Sequence, residues 1–217
     1  DDDPHYAVTK LLCLENTISG KVQPQSHLEA LANAAHQKNL KVHLDGARLF
    51  NAHIYTGASM ESLTNCFDSV SICLSKGLGA PIGSLLVSDQ ATIHKASRLR
   101  KMLGGGMRQV GVIASCGMYA LKNNVQRLQD DHDNAKLLAD GLSSISELSV
   151  DYGDNQTNMV FVNCPKEHRK PLENFLFDKE IIISNLDRGR LVCHLGITEK
   201  DILFVLDSFK EYFKRAS

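Results

Sequence analysis

The sequence predicts an α/β protein with a mainly parallel sheet, and three observations carry that prediction. Short apolar runs at residues 11–14, 40–44 and 68–74 alternate with stretches of helical periodicity, the pattern of strands joined by crossover helices. All three runs stop at polar or charged residues: Glu15-Asn16-Thr17, Asp45-Gly46-Ala47-Arg48 and Ser75-Lys76-Gly77. The chain has 217 residues, 43% of them hydrophobic and 23% charged, so it can bury a sizeable core.

The first run, Leu11-Leu12-Cys13-Leu14, reads as a buried strand that opens into a polar loop through Ser19-Gly20. A helix follows. Ser26-His27-Leu28-Glu29 has the form of a capping box, and Leu28, Leu31 and Ala35 recur at helical spacing. Leu40, Val42 and Leu44 alternate with Lys41 and His43 as a second strand. Residues 49–55 and 59–66 read as two short helices, 68–74 as the third strand and 82–87 as a fourth. Asp89 caps a helix that runs to about Leu103, where Gly104-Gly105-Gly106 stops it. Residues 107–142 read as one long helix without proline, and a domain boundary falls within it near Asn123. The expected organisation is therefore a large-domain portion over 1–123 and a small α+β domain over 124–217. In the latter, 158–163, 181–184 and 191–195 read as strands and 165–179 as a helix. Thr198 caps a last helix whose Ile202, Val205, Leu206, Phe209 and Phe213 share one face.

Charge and cysteine usage narrow the function classes. Lys plus Arg number 24 against 25 for Asp plus Glu, so no basic bias points to nucleic acid or a membrane surface, and a small-molecule partner is expected. No stretch approaches the ~20 apolar residues of a membrane span. The six cysteines show no zinc spacing, which argues against a metal site and for reduced, buried thiols in a cytoplasmic protein.

The strand ends carry the chemistry. Lys76 follows an apolar run and precedes Gly77 and Gly79, and a lysine partly desolvated at the carboxyl end of a parallel strand can supply a neutral, nucleophilic amine. With Asn16, Asp45 and Arg48 at the neighbouring ends, the set matches the needs of pyridoxal phosphate, which requires a lysine for its aldehyde and a carboxylate for its ring nitrogen. The same spacing also fits a helix-start carboxylate with an i,i+3 surface ion pair worth ~0.3–0.5 kcal/mol.

Longer motifs resolve that ambiguity. His43-Leu44-Asp45-Gly46-Ala47-Arg48-Leu49-Phe50-Asn51-Ala52, Cys73-Leu74-Ser75-Lys76-Gly77-Leu78-Gly79-Ala80-Pro81-Ile82-Gly83-Ser84 and Arg100-Lys101-Met102-Leu103-Gly104-Gly105-Gly106-Met107-Arg108-Gln109 resemble the signatures of the low-specificity L-threonine aldolases. Leu14-Glu15-Asn16-Thr17 and Arg190-Leu191-Val192-Cys193-His194-Leu195 match as well. The resemblance implies a pyridoxal-phosphate-dependent fold-type-I (aminotransferase-like) enzyme that cleaves L-threonine or L-allo-threonine to glycine and acetaldehyde. It makes Lys76 the cofactor lysine, Asp45 the partner of the ring nitrogen, and Arg48 a contact for the cofactor hydroxyl or the substrate carboxylate. Arg190 becomes the carboxylate-binding arginine of the small domain.

By the same resemblance His5 is an active-site histidine and candidate base; by sequence alone it is an exposed histidine near the chain start. Lys101 and Arg108 correspond to residues near a subunit boundary that reach a neighbouring site, in a homodimer or homotetramer; by sequence alone they flank helices. His194 is expected in the core or behind the site. The family's phosphate-gripping loop and its ring-stacking histidine lie upstream of the matched region, so the resemblance implies an N-terminally truncated member. Two alternatives stand beside it: an inactive remnant that serves as an interaction module, and another fold-type-I lyase acting on β-hydroxy amino acids.

Overall fold

The computed structural model of the chain describes residues 3–183 and 185–216. They form two compact units. The first holds the residues up to Ile18 with Val22–Val125, and the second Ser19–Lys21 with the residues from Gln126 on.

In the first unit the elements are β1 (Leu11–Glu15), α1 (Gln25–Gln37), β2 (Lys41–Asp45), α2 (Leu49–Thr56), α3 (Met60–Thr64), β3 (Ser69–Cys73), β4 (Ser84–Ser88), α4 (Gln90–Met102) and α5 (Gly111–Asn123). The sheet order is β1-β2-β3-β4. β1, β2 and β3 run parallel, and β4 returns antiparallel to β3. Alternation in β2 sends Val42 and Leu44 inward and Lys41 and Asp45 outward. Leu44 packs with Leu49, Ala52, Leu63, Val70 and Ile72, while Val42 packs with Ala32 and Ala35 of α1. By contrast, Leu85, Leu86 and Val87 of β4 are exposed and α4 buries no residue.

The start of α1 differs from the capping-box expectation. Pro24 occupies the N-cap with φ −58° and no side chain caps the helix, because the proline ring presets the entry angle one turn position early and carries Ser26 inside. The buried stripe is then Leu28, Ala32 and Ala35, and Leu31 is left exposed. Asp89 does cap α4 as expected, accepting from the Thr92 N–H at 2.8 Å.

At the amino ends of β2 and β3, Asp68 accepts from Lys41 Nζ (2.7 Å) and the Val42 N–H (2.8 Å) and pairs with His36 Nε2 (2.9 Å). Partial burial raises its pKa, but these hydrogen bonds outweigh that effect and bring it from 3.8 to about 2. Since the native carboxyl is the stronger acid, the stabilisation is present above the unfolded pKa and lost as pH falls through about 2. Asp68→Ala is expected to cost about 2 kcal/mol at pH 7. Urea unfolding at pH 7 and pH 2 checks this, the difference shrinking at the lower pH.

The second unit comprises α6 (Leu128–Ser143), β5 (Ser149–Asp151), β6 (Met159–Asn163), α7 (Lys166–Phe177), β7 (Gly189–Val192) and α8 (Glu199–Ala216). Its antiparallel sheet has the order β5-β6-β7. Leu138 and Leu142 of α6, Val160 and Val162 of β6, Leu172 and Leu176 of α7, and Ile202, Leu206, Phe209 and Phe213 of α8 share one core. Thr198 and Asp201 form the reciprocal cap of α8: the Thr198 N–H donates to Asp201 Oδ2 (2.8 Å) and the Asp201 N–H to Thr198 Oγ1 (3.3 Å).

Ser19–Lys21 is stitched into this unit by contacts distant in sequence. Thr157 donates to the Gly20 carbonyl through its N–H (2.9 Å) and its Oγ1 (2.7 Å), and Gln156 Nε2 donates to the Ser19 carbonyl (2.9 Å). Gly20 has φ 82°, and a Cβ there would lie 2.5 Å from Gln156 Nε2, so only glycine fits.

Three expectations for this half of the chain change. The single helix over 107–142 is two helices, α5 and α6, separated by residues 124–127. Asn124 ends α5 and turns its Nδ2 to the Leu78 carbonyl at 2.8 Å, a tertiary bond that competes with continuing the helix. Residues 181–183 form no strand, and Ser184 lies outside the described residues. The strand expected at 191–195 lies at Gly189–Val192, and β5 was not anticipated.

Candidate active site

The register of the parallel strands gathers the candidate residues at one end of the first sheet. Glu15 pairs with Asp45, and Asp45 with Ser71. The Asn16 N–H donates to the Asp45 carbonyl (3.1 Å), and the Gly46 N–H to the Ser71 carbonyl (2.8 Å). A Cβ on Gly46 would lie 2.9 Å from the Ser71 oxygen, so this close approach of β2 to β3 requires glycine. The Asp45 side chain is thereby delivered at the strand end, where its Oδ1 accepts from the Ala47 N–H at 2.9 Å. Arg48 is half-buried at the N-cap of α2.

Beyond β3 the chain turns tightly at Lys76. The Gly79 N–H donates to the Lys76 carbonyl (2.8 Å) and the Ala80 N–H to the Leu74 carbonyl (3.0 Å). Buried Leu74, Leu78 and Ala80 anchor this turn, which leaves Gly77 and Lys76 at its crest. The Lys76 side chain is exposed in this chain, in contrast to the desolvation expected from its strand-end position; its ammonium makes no hydrogen bond among the described residues.

Asn16 is 1% exposed. Its Oδ1 accepts from the Gln23 N–H at 3.1 Å, while its Nδ2 is buried without a partner. The neighbouring Thr17 Oγ1 is also buried and unpartnered. Two unpartnered buried polar atoms thus lie next to the strand end that carries Asp45, each of a kind that costs ~1–3 kcal/mol unless something bonds to it. Sequence reading included Asn16 by its strand-end position, whereas Thr17 entered only as the last residue of the Leu14-Glu15-Asn16-Thr17 motif, with no role assigned.

The remaining candidates lie elsewhere. Arg190 is exposed on β7 in the second unit and has no ion-pair partner among the described residues. His5 sits in a turn ahead of β1, hydrogen-bonded to Asp3. Lys101 and Arg108 are exposed on either side of the glycine run, among exposed Met102, Leu103, Met107 and Val110. His194 is exposed, with Nδ1 accepting from the Gly196 N–H at 3.2 Å, and so is not a core residue. Only Cys164 and Cys193 are fully buried, whereas Cys13 is exposed. Burial pushes the Cys193 thiol up to about 12, Cys164 up to about 11, and His132 down to about 4. These groups are inert packing in the second unit and not activated nucleophiles. No group of three or more potential metal ligands occurs among the described residues, and no described helix is long and apolar enough to cross a membrane.

The mostly parallel sheet agrees with what the chain resembles among known proteins. The chain belongs to the beta-eliminating lyase family, whose model matches residues 1–165. It is 45% identical to the low specificity L-threonine aldolase of Escherichia coli O157:H7, over 99% of this chain and 63% of that relative. It thus spans somewhat under two thirds of the relative's length. Among solved structures it superposes on the threonine aldolase of Leishmania major with a TM-score of 0.80 at 18% identity, covering 98% of this chain and 64% of that one. Serine palmitoyltransferase from S. paucimobilis, solved with a bound PLP adduct, has a TM-score of 0.73 at 20% identity, covering 96% and 55%. The fold is therefore that of the fold-type-I enzymes.

Proposed function

We propose that this chain carries the catalytic core of a pyridoxal-phosphate-dependent aldolase that cleaves L-threonine or L-allo-threonine to glycine and acetaldehyde. The observation that carries this reading is the strand-end cluster: Asp45 beside a buried, unpartnered Asn16 amide, with the free amine of Lys76 on the next turn. The cluster suits the cofactor, since Lys76 offers an amine to its aldehyde, Asp45 a carboxylate to its ring nitrogen, and Asn16 and Thr17 polar atoms that need partners. Homology to the Escherichia coli aldolase supports the substrate class.

When bound, pyridoxal phosphate supplies an electron sink for the pair released at Cα. The protein does the rest. Asp45 would keep a proton on the ring nitrogen, Arg48 and Arg190 are the candidates to hold the substrate carboxylate, and the base, for which His5 is the candidate, would take the β-hydroxyl proton. That O–H pair becomes the second C–O bond of the departing aldehyde as the Cα–Cβ bond breaks, and the broken bond's pair stays at Cα until a proton returns there. In a protein that joins this chain to the upstream region its relatives carry, incubation with pyridoxal phosphate and L-allo-threonine should release glycine and acetaldehyde in equal amounts, whereas these 217 residues alone should bind the cofactor weakly and release little. Absence of both, with no aldehyde from other β-hydroxy amino acids, would refute the reading.

Arg190→Lys is expected to raise KM about tenfold or more with a smaller change in kcat, because an ammonium cannot form the paired hydrogen bonds of a guanidinium to a carboxylate. Steady-state kinetics tests this, and an unchanged KM would remove Arg190 from the site. We also propose self-association through the exposed face around Leu103, Met107 and Val110, which would set Lys101 and Arg108 beside a neighbouring copy's site. For a protein that also carries the upstream region of its relatives, light scattering at micromolar concentration should give at least twice the mass of a single chain.

A further inference from the structure

The turn ahead of β1 is built around one side chain. The Tyr6 N–H donates to the Asp3 carbonyl at 3.1 Å, closing a turn with aspartate at its first position and Pro4 at its second, where the ring's fixed φ favours it. Asp3 Oδ1 then accepts from the His5 backbone N–H at 2.9 Å and lies 2.8 Å from His5 Nδ1. An ionised carboxylate can only accept, so Nδ1 must be the protonated nitrogen. The imidazole is 87% exposed, yet its orientation is fixed by two hydrogen bonds to one oxygen and by the proline between them.

We infer that Asp3 is a positioning residue for His5: it holds the ring in the tautomer with Nδ1–H toward the carboxylate, so that the basic lone pair of Nε2 faces outward. The inference rests on the reading of His5 as the base. Its chemistry is simple. When Nε2 takes a proton, the imidazolium keeps its Nδ1–H bond to Asp3, which does not itself accept the proton. Hydrogen bonds from the His5 backbone first, and from its ring second, hold the Asp3 carboxyl below its ordinary pKa, and even an ordinary carboxyl is ionised at neutral pH. A histidine without such a partner would divide its neutral form between two tautomers and rotate freely, with the acceptor nitrogen misdirected for much of the time.

The test reads the ring directly. Nitrogen-15 spectra of the imidazole side chains of this chain, recorded above pH 8 and assigned with His5→Gln, should show His5 predominantly as Nδ1–H. In Asp3→Ala the Nε2–H form should gain, while Asp3→Asn, whose amide oxygen can still accept, should retain the original tautomer. In the protein loaded with pyridoxal phosphate, Asp3→Ala should lower kcat about ten- to a hundredfold with KM within twofold, and His5→Gln should lower it at least as far. An Asp3→Ala ring with the wild-type tautomer overturns the inference, as does an unchanged kcat in Asp3→Ala beside a large loss in His5→Gln. An unchanged kcat in His5→Gln overturns instead the reading of His5 as the base.

Discussion

Lys76→Ala is expected to remove all covalent capture of pyridoxal phosphate and at least a thousandfold of any aldol-cleavage activity, while leaving the fold intact. The structural half of this prediction follows from how the turn is held. Its bonds are backbone ones, from Gly79 to the Lys76 carbonyl and from Ala80 to the Leu74 carbonyl, and its anchors are the buried side chains of Leu74, Leu78 and Ala80. The Lys76 side chain is exposed, so its removal leaves no cavity. The chemical half follows from the absence of a substitute. Ser75 and Gly77 flank it, and neither offers an amine. Borohydride reduction followed by peptide mapping should place the pyridoxyl group on Lys76 in the wild type and nowhere in the variant. Label on a different lysine would refute the assignment, and a shifted thermal midpoint would refute the account of the turn.

Asp45→Asn should lower activity by about 10²–10⁴ with little loss of stability. The amide keeps an oxygen for the Ala47 N–H, the hydrogen bond that Asp45 Oδ1 now accepts at 2.9 Å, so the strand end has no reason to move. What it loses is the negative charge that makes protonation of the cofactor's ring nitrogen favourable, and with it the electron sink. Single-turnover rates and urea unfolding together decide the point. Near wild-type turnover would exclude Asp45 from the role, and a fall in stability of several kcal/mol would show a structural duty instead.

Where sequence reading succeeded, the controlling forces were local. Val42 and Leu44 alternate with charges and form a strand; Thr198 with Asp201 caps α8; Ile202, Leu206, Phe209 and Phe213 lie one turn apart and are buried together. Lys76, Asp45 and Asn16 were legible because each lies within two residues of the end of an apolar run, and a parallel sheet aligns such ends. The misses were decided at a distance. Pro24 overrode a good capping box at Ser26, and Asn124 left the helix for the Leu78 carbonyl, 46 residues away in sequence. Three isoleucines at 181–183 have strong strand propensity, yet no neighbouring strand pairs with them. The exposure of Lys76 and the unpartnered Asn16 amide depend on packing around the strand ends, which no spacing rule encodes.

Residues 19–21 also bear on the order of assembly. The Gly20 carbonyl leaves the ribosome well before its partner Thr157, which is 137 residues further along the chain. Closing so long a loop carries an entropic penalty that short-range hairpins such as β5–β6 escape. The second unit can therefore collapse around Phe209 and Leu176 first and receive Ser19–Lys21 afterwards, as a late clasp on a preformed surface. Amide exchange should show the same hierarchy in reverse, with the Thr157 N–H released at lower denaturant than the amides of β6. Native topology here makes a segment synthesised before its partners dock after they have assembled.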